Sequence, residues 1–306
     1  MEYGFAFFPG QGAQHTGMGK ELYETSEAAR RVFDSASEVA GLDVAKLCFE
    51  GEQAELNRTI NSQIAIFTHS MACLEALHEA GVHFRACAGF SLGEYTALTA
   101  AGVLSLADGV RLVRRRGQLM QEAADSMDGC MAAILGLEDA QVEAACRAAE
   151  GIVLAVNYNC PGQLVIAGER AAVEQAIEGC KAAGARRAVP LAVSGAFHTP
   201  LMAGAADALR TFARELTFHE AKCPVYSNAT GEALAVTDYP AYLEQHMVSP
   251  VRWKTLVANG MADGLTTGVE IGPGKTLTGF ARKISKELQV IAVETPEGVQ
   301  KAAQQA

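Results

Sequence analysis

Three features of the chain predict an α/β fold in which a smaller domain is inserted into a larger one. Short apolar strands alternate with long segments of helical period over residues 1–127, and the same alternation resumes after residue 198. Between them, residues 128–198 follow the order β-α-β-β-α-β, the split arrangement of a ferredoxin-like unit, complete within about 65 residues. The chain has 306 residues, 49% hydrophobic and 20% charged, enough for one large core with a satellite. The large domain is accordingly drawn over 1–127 and 199–306, and the small domain over 128–198.

The first element, "YGFAFF" (3–8), is an apolar strand that runs into the Gly-rich loop "PGQGAQHTGMG" and then a helical pattern to about Ala40. A second helix is expected from about Ser62 to Ala80. "RACAGF" (85–90) reads as a buried small-residue strand, and "LGEYTALTAAG" after it is rich in helix formers. "SLADGVRLVRRRGQLMQEAAD" continues the helical period. The insert then supplies "CMAAILGL", "GIVLAVNY", "GQLVIAG" and "ARRAVPLAV" as strands, with "EDAQVEAACRAAE" and "ERAAVEQAIEGCKAAG" as its helices. Beyond His198 a helix is expected from Leu201 to Leu216, then strands at "CPVYSN" and "TTGVEIG" with helices between them, and a frayed tail over "TPEGVQKAAQQA".

Composition narrows the function. A formal net charge of -10 argues against a nucleic-acid partner, which needs a basic face. The N-terminal apolar run is cut by Pro9 and Gly10 and lacks a basic flank, so neither signal peptide nor membrane anchor is expected, and no later segment has the length to span a bilayer. The 8 cysteines are scattered without a C-x-x-C pair, against both a zinc site and a disulfide framework, and the reading is a cytoplasmic protein with no metal.

The chemistry concentrates in "GFSLG" (89–93), a G-x-S-x-G placed between a strand and a helix. That context makes a nucleophile elbow: small residues allow a strained turn that lifts Ser91 above the sheet edge, and the helix start behind it offers N–H groups to a developing oxyanion. The bland alternative is an inert serine in a tight turn. Among seven histidines, His198 stands at the junction of the two domains and is the first choice of base, with His15 in the N-terminal loop second. The N-terminal loop fails both phosphate-loop and G-x-G-x-x-G spacing, yet could supply the second half of an oxyanion hole. Of the arginines at 111, 114, 115 and 116, a full helical turn forces one to face apart from the rest, and an arginine turned into a cleft suits a carboxylate.

Taken together, "GQGAQ", "GFSLGEYTAL", "RRRGQLMQ", "NYNCPGQLVIAG", "SGAFHTPLM", "PVYSNATG", "SPVRWKTL" and "EIGPGKTLTGFARKI" resemble the malonyl-CoA:acyl carrier protein transacylases of the acyltransferase family, collinearly over about residues 3–293. The resemblance implies an α/β-hydrolase-like large domain with a ferredoxin-like insert, no cofactor, and malonyl-CoA and acyl carrier protein as partners. It implies Ser91 as nucleophile, His198 as base, the N–H groups of Gln11 and Leu92 as oxyanion hole, and Arg116 as ligand of the malonyl carboxylate. Phe197 would crowd a branched acyl group, and the backbone carbonyl of His246 would hold the catalytic imidazole. Phe90 departs from the family's usual histidine before the nucleophile and bears on acyl preference. A serine acyl hydrolase or thioesterase of the same fold, and a non-catalytic carrier-protein docking subunit, stand as alternatives. For carrier docking the sequence offers Lys181, Arg186 and Arg187 on the small domain and Lys275, Arg282, Lys283 and Lys286 near the C-terminus.

Overall fold

The computed structural model describes residues 2–193 and 195–305. Among the described residues nine strands appear in chain order: β1 (Glu2–Phe8), β2 (His83–Gly89), β3 (Gly129–Leu135), β4 (Val153–Cys160), β5 (Gln163–Glu169), β6 (Arg187–Pro190), β7 (Val225–Tyr226), β8 (Thr267–Ile271) and β9 (Gln289–Val293). They form an α/β-hydrolase-like parallel sheet of order β7-β2-β1-β8-β9 and a separate antiparallel sheet of order β4-β5-β3-β6. The second is the ferredoxin-like insert.

Alternation along β1 shows why the large sheet is buried on both faces. Phe5 and Phe7 pack with Trp253 and Tyr226 on one side, while Ala6 and Phe8 join Leu92 and Leu98 on the other. The helix Thr59–Glu79 is buried nearly all round, behind that second face. In the small sheet, Ala132, Ile134, Leu164 and Ile166 pack under the helices Asp139–Ala148 and Arg170–Ala182. Their alternates Met131, Val165 and Ala167 belong to the core of the large domain. The insert's open face is thus turned onto the large domain, and the two share a seam.

Within the large sheet β1 is flanked by β2 on one side and β8 on the other. The winding direction reverses between β1 and β8, so the loop after β1 leaves its carboxyl end at the place where open α/β sheets bind ligands, and the loop after β2 lies beside it.

Some local readings change. The pattern up to Ala40 is two helices, Lys20–Thr25 and Glu27–Ala40, split at Ser26, whose side chain caps the second by accepting the Ala29 N–H. The helices Val44–Glu50 and Gln53–Asn57 and strand β9 had no counterpart in the sequence reading. The segment "CPVYSN" contributes only the two residues of β7, and "ARRAVPLAV" only the four of β6. The expected helix from Leu201 begins as a 3₁₀ turn at Pro200–Met202 and becomes α-helical over Ala203–Ala213. The supposed tail is a helix, Pro296–Gln305, whose Val299 and Ala302 are buried and whose Ala302 carbonyl accepts the Tyr3 hydroxyl at 2.9 Å. Among the described residues no helix is long and apolar enough to cross a membrane.

Candidate active site

Ser91 sits between β2 and the helix Leu92–Ala100 with φ 52° and ψ −103°, a conformation that costs a non-glycine residue about 1–3 kcal/mol. The flanking glycines are steric necessities. A Cβ on Gly89 would lie 1.8 Å from the Gly93 carbonyl carbon, and one on Gly93 would lie 2.0 Å from the Phe8 oxygen. Among the described residues His198 (φ 62°) is the only other non-glycine with a positive φ. The two strained residues face each other, with Ser91 Oγ 2.7 Å from His198 Nε2.

His198 follows the small domain, in a turn tightened by the Thr199 hydroxyl, which donates to the Ala196 carbonyl at 2.6 Å. Ser194 of the "SGAFHTPLM" segment lies outside the described residues. The imidazole Nδ1 faces the Ser249 carbonyl at 2.9 Å. A carbonyl can only accept, so Nδ1 carries the proton and Nε2 is left free to accept from Ser91 Oγ–H. Burial (4% exposed) and then the Arg116 charge push the imidazole pKa down to about 4, against a smaller upward pull from the carbonyls of Ser249 and His246. At neutral pH the ring is an uncharged base.

The Ser249 carbonyl is the stronger acceptor, and the carbonyl of His246, expected in that place, adds a second and weaker pull on the imidazole. The helix Tyr239–Val248 ends just before Ser249, which is extended, so its carbonyl turns away from the helix and toward His198. The His246 carbonyl points along the helix, where it accepts the Ser249 N–H at 3.4 Å, and acts on His198 only as the weaker neighbour. The His246 side chain is buried beneath, with its pKa held well below normal by burial. The Ser249 segment is clamped by Val251, which exchanges hydrogen bonds with β4 through Val156 O (2.7 Å) and Tyr158 N (2.9 Å).

Arg116 is the arginine of the run that turns inward. Its neighbours find partners elsewhere: Arg111 with Asp108, Arg114 with the Ala40 carbonyl and Arg115 with Gln118. Arg116 is 1% exposed and donates to Gln63 Oε1 at 2.8 Å and to Ser91 Oγ at 3.2 Å, with its guanidinium carbon 4.7 Å from the Tyr95 ring centre. Its Nε has no partner, and among the described residues it makes no ion pair. Gly117 lets the helix approach its neighbour, since a Cβ there would lie 3.2 Å from the Thr59 carbonyl. Gln63, unremarked in the sequence, thus holds the arginine in place.

The small cavity in front of Ser91 is lined by Gln11, Phe90, Arg116, Phe197 and His198, with Met120 and Met131 adding apolar wall. The N–H groups of Gln11 and Leu92 have no partner among the described residues, Leu92 being the first residue of its helix. The Gln11 side chain is tied down by donating to Thr59 Oγ1 at 3.0 Å. A second cavity shares Gln11, Phe90 and Asn157 with the first and adds Asn159, and both asparagines carry a buried Oδ1 without a partner. Phe90 packs against Trp253 and Phe280 at the boundary. His15, the second choice of base, is half exposed and pairs with Glu294, with no place in either cavity.

A strained serine on a parallel sheet, bonded to a neutral histidine beside an unpaired guanidinium, places the chain in the class of enzymes that handle acyl groups through a serine ester. The acyl transferase domain model matches residues 6–304, and the chain belongs to this family, among its malonyl CoA-acyl carrier protein transacylases. A transacylase of that name from Bacillus subtilis is 44% identical over 97% of this chain and 95% of its own length. The 1.7 Å crystal structure of an acyl carrier protein S-malonyltransferase from Vibrio cholerae superposes with a TM-score of 0.92 at 42% identity, covering 97% of this chain and 99% of that one. A chain from the complex of a type II PKS acyl-carrier protein with its malonyl-transacylase superposes with a TM-score of 0.95 at 39% identity, covering 99% and 100%.

Proposed function

We propose that this enzyme moves a malonyl group from malonyl-CoA to the phosphopantetheine thiol of an acyl carrier protein through a malonyl ester on Ser91. His198 Nε2 takes the Ser91 proton across their 2.7 Å contact, and Oγ adds to the thioester carbonyl. The N–H groups of Gln11 and Leu92 receive the oxyanion, as the start of the helix favours negative charge there. Collapse expels the CoA thiolate, which takes the proton from His198 and leaves the ester. The carrier's thiol then gives its proton to His198 and attacks the ester. The second tetrahedral adduct collapses to the new thioester, and His198 returns the proton to Ser91 Oγ.

The observation that carries the choice of a dicarboxylic acyl group is Arg116. A buried guanidinium with an unused Nε, beside the nucleophile and without an ion pair, is costly in isolation and is relieved by a carboxylate. Phe197 and Phe90 on the cavity wall restrict bulk next to the carbonyl. The unpartnered Oδ1 atoms of Asn157 and Asn159 suit the amide N–H groups of a pantetheine arm. The eight free cysteines fit a reducing cytoplasm.

Offering malonyl-CoA, methylmalonyl-CoA and acetyl-CoA in competition and weighing the intact protein tests this reading. A malonyl adduct is expected to dominate. Preferential acetyl labelling would overturn the dicarboxylate assignment.

A further inference from the structure

The "SNATG" segment after β7 has no role in the chemistry so far, yet its asparagine lies directly under the nucleophile. Asn228 is 1% exposed and every polar group it has is used. Its Oδ1 accepts the Ser91 N–H at 2.7 Å, and its Nδ2 donates to the Gly89 carbonyl at 2.6 Å. Because one partner is a fixed donor and the other a fixed acceptor, the orientation of the amide is determined. Its own N–H donates to Glu94 Oε2 at 2.7 Å, and its carbonyl accepts the Arg252 N–H at 2.9 Å.

These four bonds join the parts of the site that must stay in register. Two grip the elbow on either side of Phe90 and fix a serine that would otherwise relax out of its strained conformation. The third ties Asn228 to the helix that starts at Leu92. The fourth reaches Arg252, three residues past Ser249, whose carbonyl orients His198. Engaging the Ser91 N–H also leaves the Leu92 N–H as the free amide of the elbow.

We propose that Asn228 is the positioning residue of this site, its side chain locking the Ser91 backbone and its main chain tying the elbow to the segment that holds His198. This rests on the reading of Ser91 as the acylated residue. A displacement of about 1 Å in such a pair costs on the order of 10²-fold in rate.

The experiment measures single-turnover acylation of Ser91 by malonyl-CoA in wild type, Asn228→Ala and Asn228→Asp, with malonyl-CoA affinity measured separately in a Ser91→Ala background. Wild type that is not labelled at Ser91 overturns the reading of the site itself, and with it this proposal. With wild type labelled, Asn228→Ala is expected to acylate about 10²-fold more slowly with unchanged affinity. Asn228→Asp supplies the test that a merely structural residue would fail. In its neutral form the introduced carboxyl can accept from Ser91 N–H and donate to the Gly89 carbonyl, and burial favours that form. Its rate relative to wild type is therefore expected to rise as the pH falls from about 8 to about 6. His198 stays uncharged until about 4, Tyr242 is held well above this window and His246 well below it beside the Arg116 charge, and because Glu94 titrates near 8 and accepts the residue 228 N–H, both proteins are compared in a Glu94→Gln background so that the ratio reports the introduced carboxyl alone. A wild-type acylation rate in Asn228→Ala, or a ratio for Asn228→Asp that does not change with pH, overturns the proposal. If Asn228→Ala does not fold, the ratio alone decides.

Discussion

Replacing Arg116 with alanine separates the two substrates that the site has to tell apart. In the free enzyme the guanidinium is held by Gln63 Oε1 at 2.8 Å, Ser91 Oγ at 3.2 Å and the face of Tyr95, and its Nε is unsatisfied. A malonyl carboxylate offers two charge-assisted hydrogen bonds, each worth about 1.5–3 kcal/mol, or roughly 3–6 kcal/mol together. At 1.36 kcal/mol per tenfold, that is about two to four orders of magnitude in malonyl kcat/KM. Acetyl-CoA loses nothing of this kind. The Arg116 charge is also one of the causes that depress the His198 pKa, so its removal leaves a stronger base for acetyl transfer. Quenched-flow acylation followed by mass spectrometry, run with each thioester, gives the two rates. Malonyl loading is expected to collapse while acetyl loading stays level or rises, and Arg116→Lys should fall between, because a point charge cannot form the paired bonds. An equal loss for both substrates would make Arg116 a packing residue and remove the basis for dicarboxylate selection.

Other perturbations probe separate parts of the site. His198→Ala is expected to slow both half-reactions by about 10²- to 10⁴-fold, whereas His15→Ala, bound to Glu294 at the surface, should be nearly silent, and a larger loss in the latter would reassign the base. In wild type, malonyl kcat/KM is expected to fall in acid only through the free-enzyme His198 pKa of about 4, and a limb near 6.5 would show that the base is not this buried imidazole. Burial raises the Glu94 carboxyl to about 8. The unfolded chain ionises first, so stability present below the ordinary carboxylate range is lost as pH rises toward 8, and Glu94→Gln is expected to flatten the pH dependence of Tm in that window. An unchanged slope would mean that Glu94 is ionised in the fold. Arg186 and Arg187 from the small domain and Lys283 from the large one line one surface groove, while Lys181 is paired with Glu178. Reversing these three groove charges is expected to raise the carrier-protein KM in a salt-dependent way without altering malonyl loading, and unaltered carrier kinetics would remove this groove as a docking surface.

The legible parts of this site are those that a local pattern determines. At the elbow, strand, glycines, serine and helix are contiguous, so "GFSLG" carries its own geometry. Arg116 could be narrowed to one of four because helical period leaves one side chain facing apart from a surface run. Gln63 and Asn228 escape such reasoning, because their partners are 53 and 137 residues away in sequence and nothing around them announces the contact. For His198 the sequence points to the carbonyl of His246, still inside a helix, and misses the stronger acceptor three residues on, Ser249, just beyond the helix end. The C-terminal helix was within reach. Thr295 caps it by accepting the Gly298 N–H, Pro296 follows as the first helical residue, and the signal was hidden only by the shortness of the buried stripe.

The central claim is that one serine carries the acyl group between two thiols, and peptide mapping after a two-step reaction tests it directly. The protein is loaded with malonyl-CoA, freed of CoA, and mixed with an acyl carrier protein bearing its phosphopantetheine arm. Malonate is expected on the peptide containing Ser91 after the first step, and its loss should match the malonyl-carrier formed in the second, with no labelling in Ser91→Ala. A malonyl adduct that persists in Ser91→Ala, or one that leaves Ser91 as free malonate while the carrier stays unloaded, would contradict the account.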